Sequence, residues 1–280
     1  MNTVSIVGVG LIGASFGLAL RKAGFGGEII GVSSESAIAA GLRSGAISSS
    51  ATIAQAAERS DLIYLAQPID RILGTIQQLA SVTVPARCLI TDAGSTKAAI
   101  VQKAAEFLPP GRFLGGHPMT GKELSGAEAA DANLFSGRIY VLTPGTPLLP
   151  VTHEFRAWLR KFGANPVEMS PIKHDAIVAY TSHLPQLLST ALAATLARQT
   201  DPATSLIFGA GLLDMTRLAL SSPEIWRSII ETNKRPIDAA LDDIIETLVK
   251  LKHELEAGDP VRFFPAAAKF AAVIRTASTE

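Results

Sequence analysis

Three glycines near the start of the chain restrict its fold more than any other sequence feature. Gly8, Gly10 and Gly13 form the sequence GVGLIG between an apolar run, residues 4–7, and a segment of helical periodicity, residues 11–23. This spacing allows a tight strand-to-helix turn, a close approach of the backbone to a pyrophosphate, and close packing of helix on strand. The free N–H groups at the start of the helix favour an anion. The pattern therefore predicts a dinucleotide-binding unit.

Short β-rich runs and helical stretches alternate through the first 170 residues. Strands are predicted at residues 4–7, 28–32, 61–66, 87–91, 112–115, 139–143 and 165–169, and helices at 11–23, 37–44, 70–80, 96–107 and 151–162. Such alternation is typical of a doubly wound, mostly parallel sheet. We therefore expect an α/β Rossmann domain over residues 1–170.

The pattern changes after residue 170. Helical periodicity continues over residues 172–199, 203–221, 223–257 and 260–275, and proline-containing turns separate these stretches. We expect residues 171–280 to form an all-helical substrate and dimerisation domain. Residues 187–196 and 237–251 carry more apolar surface than such a domain ordinarily buries, which predicts a symmetric homodimer.

Composition excludes several classes of protein. The 25 basic and 25 acidic residues balance, so charge gives no support for a nucleic-acid or anionic-membrane partner. Apolar runs end well before the ~18 residues of a membrane span, and the first strand begins where a secretory signal would lie. The single cysteine, Cys88, is predicted to be a buried strand thiol. We expect a soluble protein of a reducing compartment, which in a bacterium is the cytoplasm.

The residue that ends the second strand bears on the choice of nicotinamide cofactor. NAD-preferring sites usually have an acidic side chain there, which binds the ribose 2′-hydroxyl, whereas this chain has Ser33. A neutral hydroxyl leaves room for a 2′-phosphate, so NADP is predicted over NAD, although no arginine follows immediately. The complete predicted cofactor-binding set is Gly8, Gly10, Leu11, Ile12, Gly13, Ser33, Ser34, Gln67 and Pro68.

Further segments fit a substrate cleft at the carboxyl ends of the strands. They are TDAGSTK at 91–97, GGHPMTG at 115–121 and SHLP at 182–185. With GVGLIGAS at 8–15, DMTR at 214–217 and PEIWR at 223–227, they resemble the prephenate/arogenate dehydrogenase family of tyrosine biosynthesis over residues 4–255. The resemblance implies oxidative decarboxylation of prephenate or arogenate, with hydride transfer to NAD(P)+. No metal site is predicted.

His117 is the predicted catalytic base, because an imidazole is mostly neutral at cellular pH. The alternative is a histidine that binds a loop carbonyl. Ser95 matches the family serine that hydrogen-bonds the catalytic histidine and the substrate hydroxyl, and it could also cap the following helix. Asp92 and Lys97 are weaker candidates for ligand contact. The alternative for Asp92 is a turn residue at the end of a strand, and the alternative for Lys97 is a position on a solvated helix face.

Arg217 matches the family arginine that binds a substrate carboxylate, for which a guanidinium fork is well shaped. A structural ion pair is the alternative, with Glu123 as a partner that gates the site. Trp226 and His183 also match family residues and are predicted to bind substrate. The alternative for Trp226 is a core residue, and the alternative for His183 is a histidine that orients the start of a helix at the domain junction.

Two predicted substrate-binding residues depart from related enzymes. Lys122 stands where relatives often carry a small hydroxyl residue, and Gln186 where some prephenate-using relatives have a second histidine. Both fall where the substrate side chain is expected, so the choice between prephenate and arogenate stays open. The remaining histidines, His153, His174 and His253, are expected on solvated helical surfaces.

Two rival functions remain at this stage. One is another Rossmann-plus-helical-domain enzyme, a β-hydroxyacid dehydrogenase or imine reductase, which usually relies on a lysine or another proton donor in the helical domain. Here the candidate base, His117, precedes that domain. The other rival is a non-catalytic, dinucleotide-sensing dimer.

Overall fold

The computed structural model of the protein describes residues 1–122, 124–145, 148–258 and 261–277. The chain divides into two compact units, Met1–Lys234 and Arg235–Glu280. The first contains a sheet and its surrounding helices, and the second contains helices in its described part. Within the described residues, no helix is both long and apolar enough to cross a membrane.

Eight strands of the first unit form one sheet with the order β3-β2-β1-β4-β5-β6-β7-β8. Their bounds are β1 Thr3–Val7, β2 Glu28–Val32, β3 Ser49–Ser50, β4 Leu62–Leu65, β5 Leu89–Asp92, β6 Phe113–Pro118, β7 Ile139–Thr143 and β8 Asn165–Glu168. Every neighbouring pair is parallel except β6 and β7. The predicted mostly parallel, doubly wound sheet is confirmed.

Six helices connect these strands. They are α1 Leu11–Lys22, α2 Glu35–Ser44, α3 Ile53–Arg59, α4 Ile69–Leu79, α5 Ala98–Phe107 and α6 Pro150–Lys161. The short strand β3 and the seven-residue helix α3 were not predicted, since neither is long enough to show a hydrophobic period. A signal for α3 was nevertheless present, because Thr52 and Gln55 form a reciprocal capping box at its start.

After residue 170 the described chain is helical, as predicted. Its helices are α7 Pro171–Val178, α8 Leu184–Leu196, α9 Ala210–Thr216, α10 Pro223–Thr232, α11 Lys234–Ala257 and α12 Phe264–Ala277. A π-helical turn, Ala179–His183, joins α7 to α8. The single helix predicted over 223–257 is wrong, because Asn233 leaves the helical conformation and separates α10 from α11.

An aromatic cluster fills the space between α1, the sheet and α6. Phe16 stacks on Tyr64 with ring centroids 3.9 Å apart, and Phe135, Phe155 and Phe162 surround it. All five side chains are buried. This packing fixes α1 against β4. Because β1, β4, β5 and β6 are parallel to one another, their carboxyl ends share one edge of the sheet. The strand order reverses direction between β1 and β4, where open α/β sheets bind their ligands.

Candidate active site

The glycine-rich turn has the geometry that a dinucleotide pyrophosphate requires. Gly8 has a φ of +95°, and a Cβ there would lie 2.7 Å from the Ala66 carbonyl oxygen. A Cβ at Gly13 would lie 2.0 Å from the Gly8 oxygen, whereas the space beside Gly10 is open. Helix α1 begins without a side-chain cap or an acidic residue in its first turn. Its first N–H groups are therefore suited to a phosphate, so the turn fits the cofactor.

The other predicted cofactor residues lie around this turn. Leu11 and Ile12 open α1 and are half-buried. The Ser34 side chain caps α2. The neighbouring Ser33 follows β2 and is exposed. The half-buried Gln67 accepts a hydrogen bond from Thr75 at 2.8 Å.

Pro68, the last residue of the predicted cofactor-binding set, is exposed at the N-cap of α4. Like the other members of the set, it remains a predicted contact.

A buried ion pair joins β5 to the start of α5. The Lys97 Nζ donates to the Asp92 carboxylate and to the Gly116 carbonyl, the latter at 2.7 Å. The other Asp92 oxygen accepts the Gly116 N–H at 3.0 Å. A Cβ at Gly116 would lie 2.5 Å from the Asp92 carbonyl oxygen, which explains the glycine. The pair thus holds both polar groups of the residue that precedes His117.

Burial shifts the pKa values of Asp92 and Lys97 in opposite directions. Desolvation raises the pKa of Asp92 and lowers that of Lys97, while the attraction between the two charges opposes both shifts. The alternative prediction of a solvated Lys97 is wrong, because its side chain has no exposed surface. The prediction of Asp92 as a strand-end turn residue is confirmed, since it also accepts the Gly94 N–H at 2.8 Å.

His117 lies near the carboxyl end of β6 and is buried. Its Nδ1 is 2.8 Å from the Nε2 of His174, and the rings meet edge to face with centroids 5.0 Å apart. His117 therefore meets an imidazole rather than the loop carbonyl of the alternative prediction. Burial, followed by the charges of His174, Lys97 and His183, holds the pKa of His117 well below 6.5.

The predicted solvated position of His174 is wrong. This side chain is 1% exposed, because the face of α7 that carries it packs against α5 and β6. Its Nδ1 lies 2.7 Å from a carboxylate oxygen of Asp175. His153 and His253 are exposed, as predicted.

Asp175, which sequence reasoning missed, also caps α5. Its two carboxylate oxygens accept the backbone N–H groups of Lys97 at 2.7 Å and Ala98 at 2.8 Å. The prediction that Ser95 caps this helix is therefore wrong, because α5 begins at Ala98 and its cap comes from α7. Ser95 lies half-buried in the loop between β5 and α5, and its catalytic role stays a prediction.

A third buried histidine, His183, ends the π-helical turn. Its Nδ1 is 3.1 Å from the side-chain nitrogen of Asn233, which also donates to the Asp175 carbonyl at 2.9 Å. The half-buried Trp226 meets the His183 ring edge to face at 5.8 Å and packs on the apolar cluster beneath α4. Trp226 therefore contacts both the apolar core and His183, and its place in the substrate site stays a prediction.

Arg217 opens a single 3₁₀ turn, Arg217–Leu220, and is exposed. The buried Gln186 holds this turn, since its amide nitrogen donates to the Leu218 carbonyl at 2.7 Å and its oxygen accepts from Ser221 at 3.1 Å. Because both ends of the amide bind protein, Gln186 supports the segment that carries Arg217.

The loop after β6 carries the last two predicted substrate residues. Lys122 is exposed and its Nζ lies 3.0 Å from the Asp131 carboxylate. The backbone N–H of Asp131 in turn donates to the Ser15 side chain on α1 at 2.9 Å. Glu123 lies outside the described residues, so its proposed pairing with Arg217 stays a prediction.

The free energy of unfolding should depend on pH through the buried histidines. Burial lowers the pKa of His183 from 6.5 to about 4. Between these values the unfolded chain binds a proton that the folded chain does not, so stability falls as pH drops from 6.5 towards 4. We expect His183→Asn to remove up to about 3 kcal/mol of this loss in urea unfolding across the window. His153→Asn, at an exposed position, should leave the slope unchanged; an unchanged slope in His183→Asn would contradict the assignment.

Comparisons with known proteins agree with this geometry. Residues 16–150 match the family described as prephenate dehydrogenase, nucleotide-binding domain, and residues 170–275 match prephenate dehydrogenase, dimerization domain. Prephenate dehydrogenase of Bacillus subtilis (strain 168) is 35% identical over 274 residues, which span 94% of this chain and 72% of that protein.

Two solved structures share the fold over nearly the whole chain. Prephenate dehydrogenase from Aquifex aeolicus, in complex with hydroxyphenyl propionate and NAD+, superposes with a TM-score of 0.89 at 30% identity and covers 98% of each chain. Synechocystis arogenate dehydrogenase gives 0.82 at 28% identity and covers 98% of this chain and 99% of its own. The glycine turn, the buried His117 and these similarities lead to one conclusion: the chain belongs to the prephenate dehydrogenase family.

Proposed function

We propose that the protein oxidatively decarboxylates prephenate to 4-hydroxyphenylpyruvate, or arogenate to tyrosine, with His117 as the proton acceptor. The observation that carries this proposal is the buried His117 near the carboxyl end of β6, with its Nδ1 bound to His174. Its other ring nitrogen, Nε2, receives no hydrogen bond from the residues that the structure describes. It is therefore free to accept the proton of the substrate 4-hydroxyl.

The proton that His117 takes is returned within the same turnover. A bound nicotinamide would accept the hydride of the carbinol carbon, and the ring carboxylate leaves as carbon dioxide. The electrons of that broken carbon–carbon bond make the ring an aromatic phenolate, which takes the proton back. His117 thus acts first as base and then as acid, and no net proton is released. Because aromatisation drives the reaction, the protein mainly has to position the substrate and move this proton.

Two carboxylates of the substrate require cations. Arg217 is the proposed ligand of one of them, and the turn that Gln186 holds supports it. Lys122, His183 and Trp226 are proposed to complete the substrate site, with Ser95 bound to the substrate hydroxyl. For Glu123, the proposed role is that of a gating partner of Arg217.

The lysines of this chain favour this function over a lysine-dependent reductase. Between residues 171 and 277, every lysine that the structure describes is exposed: Lys173, Lys234, Lys250, Lys252 and Lys269. The buried Lys97 immediately precedes α5, and the Asp92 carboxylate and the Gly116 carbonyl bind it. Only a measurement of activity distinguishes this enzyme from a non-catalytic sensor.

The discriminating experiment is a four-way kinetic comparison. Prephenate and arogenate are each combined with NAD+ and NADP+, and the near-ultraviolet absorbance of the reduced nicotinamide is followed. We expect turnover with at least one pairing. Binding of a cofactor without turnover in any pairing would favour the sensor.

Substitutions at His117 and Arg217 should fail in different ways. His117→Asn keeps a hydrogen-bonding group but loses basicity, so kcat should fall on the order of a hundredfold with little change in KM. Arg217→Ala should act mainly through KM, at a cost of about 2–4 kcal/mol for a lost charge-assisted contact. Steady-state kinetics of the two variants checks both roles. Near-normal turnover in His117→Asn would end this mechanism.

We propose NADP as the preferred cofactor, with NAD as the alternative. Ser33 places a neutral side chain where a carboxylate would repel a 2′-phosphate. Ser33→Asp should therefore shift preference towards NAD, by on the order of 1–3 kcal/mol in the ratio of kcat/KM values. A matched control is Ser36→Asp, an exposed position in the first turn of α2. An equal shift in both variants would point to a general charge effect.

We propose a cytoplasmic homodimer with a Rossmann domain over residues 1–170 and a helical substrate and dimerisation domain over 171–280. Large apolar side chains are exposed on both compact units, including Leu206 and Ile207 on the first and Phe264 and Phe270 on the second. Such surfaces mark interfaces rather than solvated faces. Light scattering at micromolar concentration should give twice the chain mass, and a monomer would contradict the proposal.

A further inference from the structure

Asp175 is connected to His117 and to His183 by separate routes. Its carboxylate binds His174, which binds His117. Its backbone carbonyl binds Asn233, which binds His183. Each route ends on the Nδ1 of a histidine. In each case the hydrogen-bond partners determine which of the two ring nitrogens carries the hydrogen.

The first route makes His117 an acceptor at Nε2. A carboxylate only accepts, so His174 must carry its hydrogen on Nδ1, which faces Asp175 at 2.7 Å. A His174 ring with this single hydrogen accepts at Nε2, so the hydrogen between the two rings belongs to the Nδ1 of His117. Neutral His117 is left with a lone pair on Nε2, as a base needs.

The second route makes His183 a donor at Nε2. The Asp175 carbonyl only accepts, so the side-chain atom of Asn233 that faces it at 2.9 Å is the amide nitrogen. That nitrogen has a second hydrogen, and the Nδ1 of His183 lies 3.1 Å away. Nδ1 therefore accepts, and neutral His183 carries its own hydrogen on Nε2.

We propose that Asp175, through His174 and Asn233, holds the two histidines as opposite tautomers, His117 as an acceptor and His183 as a hydrogen-bond donor to a substrate oxygen. His174, Asp175 and Asn233 are positioning residues in this arrangement. The assignment of the hydrogens rests on the hydrogen-bond geometry and on one hydrogen per ring, whereas the role of the His183 donor rests on the proposed function. A neutral His183 thereby donates a hydrogen bond to a substrate oxygen and does not act as a second base.

The surrounding charges agree with two neutral rings. His174, Lys97 and His183 face His117, and the buried Lys97 opposes a positive charge there. Asp175 and His174 face His183, whose pKa burial lowers to about 4. When His117 takes the substrate proton on Nε2, its Nδ1–H still donates to His174. The Asp175 carboxylate then stabilises the resulting imidazolium, as the acidic member of a catalytic triad does.

The direct test is nuclear magnetic resonance of the full-length protein labelled with ¹⁵N-histidine and without ligand, at neutral pH. The five rings are assigned by single substitutions, and the exposed His153 and His253 serve as references for averaged tautomers. We expect one protonated nitrogen in each buried ring, Nδ1 in His117 and Nε2 in His183. Equal tautomers in the two rings, or averaged signals, would overturn the proposal. This result is independent of catalysis, so an inactive enzyme would affect only the proposed function.

A second measurement uses Asn233→Asp. A carboxylate cannot donate to the Nδ1 of His183, so this variant should move the His183 hydrogen to Nδ1 and leave His117 unchanged. In the four-way assay, KM should rise about tenfold with little change in kcat, as expected for a lost substrate contact. Asn165→Asp, at an exposed position on β8, is the control. An unchanged His183 tautomer in folded Asn233→Asp protein would contradict the second route.

Two substitutions of His174 separate positioning from packing. His174→Phe removes the acceptor for His117, and kcat should fall about tenfold or more. His174→Gln retains an oxygen that can accept the His117 hydrogen, so part of the lost turnover and the His117 tautomer should return. Equal kcat losses in both variants, with an unchanged His117 tautomer, would show that His174 only fills space.

Discussion

The buried attraction between Lys97 and Asp92 is the interaction on which the rest of the site depends. Two charges without exposed surface are costly to desolvate, and only their mutual contact and further hydrogen bonds offset that cost. Here those further bonds go to the N–H and C=O of Gly116. The same pair therefore joins β5 to β6, fixes the residue before His117 and determines where α5 can begin. Asp175 then binds the N–H groups that this start exposes.

Much of this fold follows from local sequence. The glycine turn, the alternation of apolar strands with helices and the change to helices after residue 170 each depend on neighbours along the chain, and each was predicted. His117 was predicted because an imidazole is mostly neutral at cellular pH and can therefore act as a base, and the family resemblance supplied the chemistry. The positions of Gly8 and Gly116 against carbonyl oxygens explain why those motifs contain glycine.

The features that local sequence does not predict depend on which side chains the tertiary structure covers. His174 lies on a helix with polar neighbours, and its burial is decided by α5 and β6, which are distant in sequence. Asn233 ends a helix without proline or glycine, because its side chain binds Asp175 and His183 instead. Lysine is a residue type that is usually exposed, and only the buried carboxylate of Asp92 explains the buried position of Lys97. Single-sequence periodicity contains none of this information.

The π-helical turn between α7 and α8 has a consequence for how this region can vary. A helix advances about 100° per residue, so the additional residue of a π turn rotates everything beyond it relative to α7. His174 and Asp175 precede the turn, whereas His183 ends it and Gln186 follows it. Deleting one residue from Ala179–His183 would restore a regular helix with better local hydrogen bonding, yet it would point both later side chains away from Asn233 and the Arg217 segment. An irregular helix is therefore retained where a straighter one would lose the alignment of two binding groups.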